Sequence, residues 1–304
     1  MKFGIHIGHM GGPLDEMRKL WKFADAKGFD WFSVSDHFQE SPPRGGDMDC
    51  YEAIATLTAA AMDTKKVRRG SGVYCVVYRN PALLAKSLTT IDHLSGGRIN
   101  VGVGSGWMPE EFAAASAAHI YQKRNKHVRE TIEVMQGIWT NELFEYHGEF
   151  ADFPKCGFGV KPVQKPRPPM FIGGLGKPEI AAARVAKYGL EGWIGIMDTP
   201  EAITTWRAAI KAEFEKLGSK HALDALEISS MLPFEITRDK TDQTPRGKLT
   251  PTLVGTADQI TDNLKRYRDA GMTMPLLWPP FSGTPTAKTI VDMRRLVHDI
   301  LPKV

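Results

Sequence analysis

The sequence predicts an α/β protein in which eight strands alternate with helices and close into a (β/α)8 barrel. Eight short β-rich runs are separated by segments of helical periodicity. Parallel neighbours in a sheet need crossover connections, so this order requires a parallel sheet. The length of 304 residues suits one barrel of about 250 residues with extra loops. A doubly wound open sheet is the alternative.

The predicted strands are short runs that each lead into a helix or a long connection. They are Lys2–Gly8, Asp30–Ser35, Val67–Val77, Arg98–Gly104, Pro169–Gly173, Glu191–Ile196, Leu226–Ile236 and Thr273–Trp278. Four helices are expected to stop at a glycine, which readily adopts the left-handed cap conformation. They are Leu14–Lys27 before Gly28, Pro81–Leu94 before Gly96, Pro178–Tyr188 before Gly189, and Ala257–Ala270 before Gly271.

Two long stretches interrupt the regular spacing and are predicted as insertions after the fourth and seventh strands. Residues 107–168 contain a helical pattern, Tyr121–Thr140, and the motif EYHGEFADF, which indicates a hairpin. Residues 237–252 form a polar loop rich in Lys, Asp and Thr. No composition break indicates a linker, so residues 1–304 are expected to be one domain.

Composition and charge exclude several classes of protein. The formal charge of +4 comes from scattered residues, so neither nucleic acid nor membrane is an expected partner. The basic run at residues 65–69 is predicted to be a solvent-exposed helix end. Three distant cysteines without CxxC spacing favour a reducing compartment over disulfides or zinc, and no metal site is expected. No signal peptide or membrane span is visible, so a cytoplasmic protein is expected.

The candidate site residues are those that follow the strands, because a barrel of this kind places its active site at the carboxyl ends. Glycines, aromatic residues and a few polar groups converge there, which suits a flat organic cofactor with a phosphate tail. These residues are His9 and Met10 after the first strand, Ser35, Asp36 and His37 after the second, Tyr78, Arg79 and Asn80 after the third, Ser105, Gly106 and Trp107 after the fourth, Gly173 to Gly176 after the fifth, and Trp278 after the eighth.

Asp36 and His37 are the most chemically capable pair, because an imidazole beside a carboxylate can exchange protons near neutral pH. A structural histidine at a strand end is the alternative. The segment GGLG at residues 173–176 opens into a helix, so its amides and the helix dipole are able to bind an anion. A plain tight turn is the alternative there. Arg124 and Lys126, on the insertion helix, are expected at the surface; contact with the phosphate is the alternative.

Several common catalytic motifs are absent from the sequence. Gly102, Gly104 and Gly106 form G-x-G-x-G, but Trp107 occupies the place of the third glycine of a dinucleotide fingerprint. The sequence contains no Walker-type loop, no GxSxG elbow and no HExxH motif. The glycines at strand ends, Gly72, Gly104, Gly106, Gly173 and Gly174, are instead expected where a cofactor approaches the backbone.

Three blocks of sequence resemble the luciferase-like monooxygenases, in particular the branch that uses the deazaflavin coenzyme F420. The blocks are VSDHF at Val34–Phe38, GVYCVVYRNPALLAKSLTTIDHLSGGRINVGVGSGWMPEEF from Gly72, and FIGGLGKPEIAAARVAKYGLEGWI at Phe171–Ile194. The end of the chain, LVGTADQITDNLKRYRDAGMT, is also similar. The resemblance covers most of the chain and implies a luciferase-like TIM barrel that binds FMN or the deazaflavin in its mouth.

The resemblance also implies roles for individual residues. Ser35, Asp36 and His37 are similar to the deazaflavin users, whereas relatives that use FMN more often carry Glu-His-His there. Asp36 is expected near the polar edge of the ring, and His37 is expected to face the ring and the substrate as the second catalytic residue. A cis peptide bond between Gly72 and Val73 is expected to back the ring. Further cofactor contacts are expected at Gly104, Gly106 and Trp107, and at Gly173 and Gly174, which hold the phosphate.

The sequence departs from the deazaflavin sugar-phosphate dehydrogenases, in which a glutamate acid follows G-x-G and a tryptophan follows the histidine. Trp107 and Ser41 occupy those places, so sugar-phosphate oxidation is not expected, and Glu110 or Glu111 is a candidate replacement acid. The predicted function is hydride transfer between coenzyme F420 and a small organic substrate. An FMN-dependent monooxygenase supplied by a separate reductase is one alternative, and a non-catalytic flavin-binding barrel is the other. The resemblance implies a homodimer.

Overall fold

The computed structural model describes residues 1–8, 13–39, 49–174, 177–218, 223–243, 253–279 and 286–304. Its strands are β1 Gly4–Ile7, β2 Trp31–Val34, β3 Arg68–Ser71, β4 Tyr74–Cys75, β5 Val101–Gly104, β6 Leu143–His147, β7 Asp152–Gly157, β8 Met170–Gly173, β9 Gly192–Ile196, β10 Glu227–Ile236, β11 Leu253–Gly255 and β12 Met274–Trp278. Candidate positions His9, Met10, Ser41 and Gly176, and most of the predicted polar loop, lie outside these residues.

The helices occupy the connections between the strands. They are α1 Leu14–Lys27, α2 Ala53–Asp63, α3 Pro81–Ser95, α4 Pro109–Ala114, α5 Arg124–Thr140, α6 Pro178–Tyr188, α7 Pro200–Leu217, α8 Ala257–Asp269 and α9 Thr286–Arg295. Gly28, Gly96 and Gly189 end α1, α3 and α6 in the left-handed conformation, as predicted. Within the described ranges, no helix is long and apolar enough to cross a membrane.

The strands form a parallel sheet that curves into a nearly closed barrel. Their order is β3-β2-β1-β12-β10-β9-β8-β5-β4, and every neighbouring pair in this order is parallel. A parallel bridge between Arg69 and Ile99 joins β3 to the segment before β5, while β4 pairs with β5 itself. Because β3 and β4 are consecutive parts of one barrel strand, the order confirms the predicted (β/α)8 fold.

The third barrel strand differs from the prediction in one respect. The predicted run Val67–Val77 is divided between β3 and β4 by a cis peptide bond between Gly72 and Val73, and it ends in a 3-10 turn at Val76–Tyr78. The cis bond was expected at this position and is confirmed.

The basic run at residues 65–69 was predicted as an exposed helix end, and this prediction holds for Lys65 and Lys66, which are exposed just after the helix, but is wrong for Arg68 and Arg69. Helix α2 ends at Asp63, and Arg68 and Arg69 belong to β3. The backbone of Arg69 is hydrogen-bonded across the barrel seam to Arg98 and Asn100, and its side chain is fully buried. Sheet hydrogen bonding on both sides of the strand thus overrides the preference of a charged run for solvent.

The predicted insertion at residues 107–168 contains α4, a 3-10 segment at Ala118–Lys123, α5 and an antiparallel hairpin of β6 and β7. The hairpin is confirmed, and the α-helix starts three residues later than predicted. Lys126 is exposed and pairs with Glu149 of the hairpin, while the Arg124 guanidinium lies 4.5 Å from the centre of the Tyr121 ring. These contacts agree with the expected surface location of both side chains.

The core consists of two layers. A large cluster packs the outer face of the barrel against the helices, and a smaller cluster fills the barrel interior with Trp31, Phe171, Ile194, Met231, Met274, Leu276 and Trp278. Trp278 was predicted to line the pocket, but it belongs to this interior cluster and is buried. Its place in the sequence, at the end of β12, does not determine whether its ring turns outward or inward.

Candidate active site

The described part of the barrel mouth is built from residues that follow β2, β4 and β5. Ser35, Asp36 and His37 follow β2, Tyr78 and Arg79 follow β4 through the 3-10 turn, and Ser105, Gly106 and Trp107 follow β5. Because β2 and the β3–β4 strand are neighbours and β4 pairs with β5, these segments lie side by side. The carboxyl ends of parallel strands share one edge of the barrel, as the prediction required.

His37 meets a carboxylate that is not its sequence neighbour. The His37 Nδ1 atom lies 2.8 Å from Glu111 Oε2, and the Phe38 amide donates to Glu111 Oε1 at 2.6 Å. Glu111 is in the first turn of α4 and its side chain is almost fully buried, whereas the His37 side chain retains 17% of its exposure. The buried Glu111 carboxylate therefore fixes the position of the partly exposed imidazole through its Nδ1 atom.

Electrostatics keep Glu111 ionised. Burial alone would raise its pKa, but the hydrogen bonds to His37 and Tyr78, the charge of His37 and the Phe38 amide together lower the pKa of Glu111 below its ordinary value. Tyr78 donates to Glu111 Oε2 at 2.5 Å, and burial next to this carboxylate raises the pKa of Tyr78. An ionised carboxylate can only accept, so Glu111 accepts the hydrogen bond from the N–H at His37 Nδ1.

Asp36 has a different environment. Its carboxylate accepts two hydrogen bonds from Arg79, at 2.6 and 2.8 Å, and one from the Cys75 amide at 3.0 Å. Burial raises the pKa of Asp36, and the hydrogen bonds and charge of Arg79 oppose that rise. The contacts connect the end of β2 to the residues that follow the cis bond. A catalytic role for Asp36 stays a prediction; the bidentate pair gives its carboxylate a defined structural role.

The glycines around the cis bond make room for Val73. A Cβ atom added to Gly102 would come within 3.0 Å of Val73 Cγ1, and one added to Gly173 would come within 2.8 Å of the same atom. Gly104 faces Val73 Cγ2 in the same way. Three glycines on β5 and β8 thus accommodate one side chain on the barrel interior. The expected contact of Gly104 and Gly173 with a cofactor stays a prediction, but their lack of a side chain has a cause within the protein.

Gly106 and Trp107 lead from β5 into the mouth. Gly106 has a φ of +68°, and a Cβ atom there would lie 2.5 Å from Cys75 Sγ, so both conformation and space favour glycine. Trp107 is 48% exposed, and its ring centre lies 6.4 Å from that of His37. Phe38 is 43% exposed and packs on Tyr78. Two exposed aromatic side chains therefore flank the His37 imidazole.

The predicted phosphate segment begins at Gly173 and Gly174. The Gly174 amide donates to the Ile194 carbonyl at 3.2 Å, so this donor is already used within the barrel. The next two residues lie outside the described ranges, and α6 begins at Pro178. A phosphate site on Gly173 and Gly174 stays a prediction.

The structure brings His37, Trp107 and the Gly72–Val73 bond to one edge of the barrel, as predicted. Tyr78 and Arg79, which the sequence also predicts after the third strand, contact Glu111 and Asp36 there, and Glu111 contacts His37. The sequence marked Glu111 only as a replacement acid, yet the side chain is buried behind His37 and can act on a substrate only through that imidazole. Glu110 is exposed. Burial raises the pKa of Cys75 to about 12, so its thiol remains protonated. In the ranges given above, no three His, Cys, Asp or Glu side chains are grouped to hold a metal ion.

An eight-stranded parallel barrel whose mouth carries a carboxylate-held histidine beside a cis-peptide bulge defines a TIM-barrel enzyme site. The family model described as luciferase-like monooxygenase matches residues 1–246. The chain therefore belongs to the luciferase-like monooxygenase family.

Individual relatives carry different names. The chain is 33% identical over 181 residues to the FMNH2-dependent dimethylsulfone monooxygenase of Pseudomonas putida, a match that covers 59% of this chain and 48% of that protein. It is 27% identical to the 5,10-methylenetetrahydromethanopterin reductase of Archaeoglobus fulgidus, over 89% of this chain and 75% of the reductase. The chain thus spans about half the length of the first of these relatives.

Solved structures share the fold. An F420-dependent secondary alcohol dehydrogenase, in complex with an F420–acetone adduct, superposes with a TM-score of 0.83 and 17% identity, covering 100% of this chain and 98% of the other. This likeness extends over the complete barrel.

Proposed function

We propose that this protein is an oxidoreductase that transfers hydride between coenzyme F420 and a small organic substrate bound in the barrel mouth, with His37 as the proton partner. The observation that carries the proposal is the contact between His37 Nδ1 and the buried Glu111 carboxylate. The contact fixes the orientation of the imidazole through Nδ1, and a positioned imidazole is suited to proton transfer. A positioned histidine of this kind contributes about 10²- to 10⁴-fold to a rate.

The described residues of the mouth fit a flat ring system. The cis Gly72–Val73 bond lies at the end of the third barrel strand, and Trp107 and Phe38 offer aromatic surface on either side of His37. When bound, the deazaflavin supplies the hydride donor or acceptor. The residues around it hold the ring, exclude water and take up or return the proton at His37 Nε2.

Two observations favour the deazaflavin over FMN. The first is the motif Ser35, Asp36, His37, which is similar to the deazaflavin users. The reductase from Archaeoglobus fulgidus aligns over most of this chain, in contrast to the FMNH2-dependent monooxygenase.

A binding titration tests the choice of cofactor. Purified protein is titrated with coenzyme F420 and with FMN, and quenching of the fluorescence of each is followed. We expect a lower Kd for the deazaflavin. A lower Kd for FMN overturns the proposed cofactor.

Replacement of His37 tests its role. His37→Ala should retain the Kd for the deazaflavin and reduce turnover of a panel of small alcohols and carbonyl compounds about 100-fold or more. His298→Ala is the matched control, because His298 is exposed on the C-terminal segment. Turnover by His37→Ala equal to that of the control excludes His37 as the proton partner.

A second candidate is an FMN-dependent monooxygenase that receives reduced flavin from a separate reductase. The name of the relative from Pseudomonas putida supports it. Oxygen consumption by the protein with chemically reduced FMN, in excess of that by free flavin and dependent on an added organic substrate, would favour this candidate.

A further inference from the structure

A polar cluster lies within the apolar interior of the barrel, directly below the mouth. His6 Nδ1 is 2.8 Å from Ser33 Oγ, and His6 Nε2 is 3.2 Å from Ser35 Oγ. His6 and Ser33 are fully buried. A buried imidazole and buried hydroxyls destabilise the fold unless they are hydrogen-bonded, so the geometry of this cluster is constrained.

The cluster adjoins the cis bond that forms the bulge. The Trp278 ring stands edge-on to the His6 ring, with centres 5.4 Å apart. A Cβ atom added to Gly72 would lie 3.5 Å from both His6 Nδ1 and Ser33 Oγ. His6 is therefore packed between the indole and the bulge, and Ser35 is the member of the cluster nearest to the mouth.

Strand alternation explains why Ser35 reaches the mouth. Ser33 and Ser35 are two residues apart at the end of β2, so both side chains point into the barrel. Ser33 is fully buried, whereas Ser35 is partly exposed. The Ser35 hydroxyl is thus the point at which the buried cluster meets whatever binds in the mouth, two residues before His37.

The hydrogen-bond roles in the cluster follow from Ser33. Among the residues that the structure describes, His6 Nδ1 is the hydrogen-bond partner of the Ser33 hydroxyl. A buried O–H without an acceptor is costlier than a lone pair without a donor, so Ser33 donates to Nδ1. The proton of neutral His6 is then on Nε2, which donates to Ser35 Oγ. Ser35 Oγ then accepts this bond, which leaves the hydroxyl hydrogen of Ser35 to donate to another acceptor.

We propose that Ser35 is a cofactor-contacting hydrogen-bond donor to the pyrimidine-dione part of the bound flavin or deazaflavin, and that His6 positions it. This inference rests on the proposed function, and it replaces Asp36, whose carboxylate is occupied by Arg79, as the contact at the polar edge of the ring. Hydride addition to a neutral ring adds negative charge, which spreads over the carbonyls and nitrogens of that part. A fixed donor there stabilises the reduced form more than the oxidised form.

The test uses FMN as the probe, because FMN has the same pyrimidine-dione edge and a convenient two-electron reduction. The Kd of oxidised FMN and the midpoint potential of bound FMN are measured for the wild type, Ser35→Ala and Ser35→Thr. Ser35→Ala should weaken binding of reduced FMN about tenfold more than that of oxidised FMN, which lowers the potential by about 30 mV. Ser35→Thr, which keeps the hydroxyl, should retain the wild-type potential.

Ser87→Ala is the control, because the Ser87 hydroxyl donates to the Leu83 carbonyl within α3, and its potential should equal that of the wild type. Equal potentials for Ser35→Ala and Ser87→Ala overturn the proposal. The proposal is also overturned if Ser35→Ala weakens the binding of oxidised FMN and of reduced FMN by the same factor. The hydroxyl would then contribute to binding without favouring the reduced ring.

A second measurement is independent of any cofactor. Nitrogen NMR of ring-labelled histidine, with His6 assigned by its loss in His6→Gln, should show a neutral ring protonated at Nε2. Protonation at Nδ1 overturns the assignment of Ser35 as a donor. If neither FMN nor the deazaflavin binds, the proposed function fails and the proposed contact falls with it. If the wild type binds FMN and the deazaflavin but Ser35→Ala leaves the midpoint potential unchanged, the Ser35 contact is contradicted and the proposed function is not.

Discussion

The side chain of Val73 lies against the bare Cα atom of Gly104, so that a Cβ atom on Gly104 would overlap Val73 Cγ2. Gly102 and Gly173 face the same side chain. A glycine-rich wall next to a predicted cofactor site suggests close approach of a ligand. In this barrel the glycines accommodate the side chain of Val73, which packs against the apolar cluster of the barrel interior.

Gly104→Ala should destabilise the fold by about 1–3 kcal/mol, because the added methyl group forces Val73 away from its rotamer. Val73→Ala in the same chain should remove the overlap, so the double variant should be more stable than the sum of the single changes predicts. Urea unfolding measures all three free energies. Gly157→Ala is the control, since a Cβ atom there meets Leu143 at an ordinary 3.5 Å. Strict additivity would contradict the proposed overlap.

Arg79→Met should cost about 3–5 kcal/mol of unfolding free energy, because it leaves the buried Asp36 carboxylate without its bidentate partner. Arg295→Met is the control; it breaks a pair with Asp299 at 3.8 Å in which both side chains are about half exposed, and such pairs contribute about 0–1 kcal/mol. Chemical denaturation of both variants provides the comparison. Similar losses for the two would show that the Asp36–Arg79 pair is not a structural element of the mouth.

Glu111→Gln should lower turnover about 100-fold while the Kd for the cofactor stays within about twofold, because a glutamine cannot act as a charged acceptor for His37 Nδ1. The imidazole then favours the tautomer with its proton on Nε2, which cannot accept a proton from a substrate. Glu110→Gln, on the adjacent exposed residue, should behave as the wild type. Steady-state kinetics and fluorescence titration distinguish the two effects. Equal turnover in the two variants would exclude Glu111 as the residue that positions His37.

Asp198 gives the folded state a pH dependence of its own. Its carboxylate accepts the Ser230 hydroxyl at 2.8 Å, and burial raises its pKa from 3.8 to about 6. The folded protein therefore holds this proton more tightly than the unfolded chain. The stability associated with this proton is complete below about pH 4, decreases as the pH rises to about 6, and is absent above that.

Asp198→Asn should make the folded state more stable than the wild type above pH 6, by about 1–3 kcal/mol, and the gain should disappear toward pH 4. Urea midpoints measured between pH 4 and 8 would show the crossover. Asp299→Asn, at an exposed position, should show no such dependence. A gain for Asp198→Asn that is constant with pH would mean that the carboxylate is ionised alike in both states.

The strand order and the position of His37 after the second barrel strand could be predicted, because they depend on local signals. These signals are glycine caps after helices and polar residues after apolar runs. The partner of His37 could not be predicted. Glu111 is 74 residues away, and a glutamate in the first turn of a helix is common for reasons of the helix dipole alone. The burial of Arg69 could not be predicted from the sequence for a similar reason. A run of charged residues favours exposure to solvent, whereas Arg69 is buried because β3 pairs with a neighbour on each side.

The aromatic side chains beside His37 have a practical consequence for enzyme engineering. In the barrel wall, the side chain of Val73 packs closely against Gly102, Gly104 and Gly173, so a larger side chain at one of these glycines disturbs the fold. Phe38 and Trp107 keep nearly half of their surface exposed, so libraries of variants at these two positions can alter substrate preference with little loss of stability. Changes at these two exposed positions are thus expected to act on what binds in the mouth rather than on the fold.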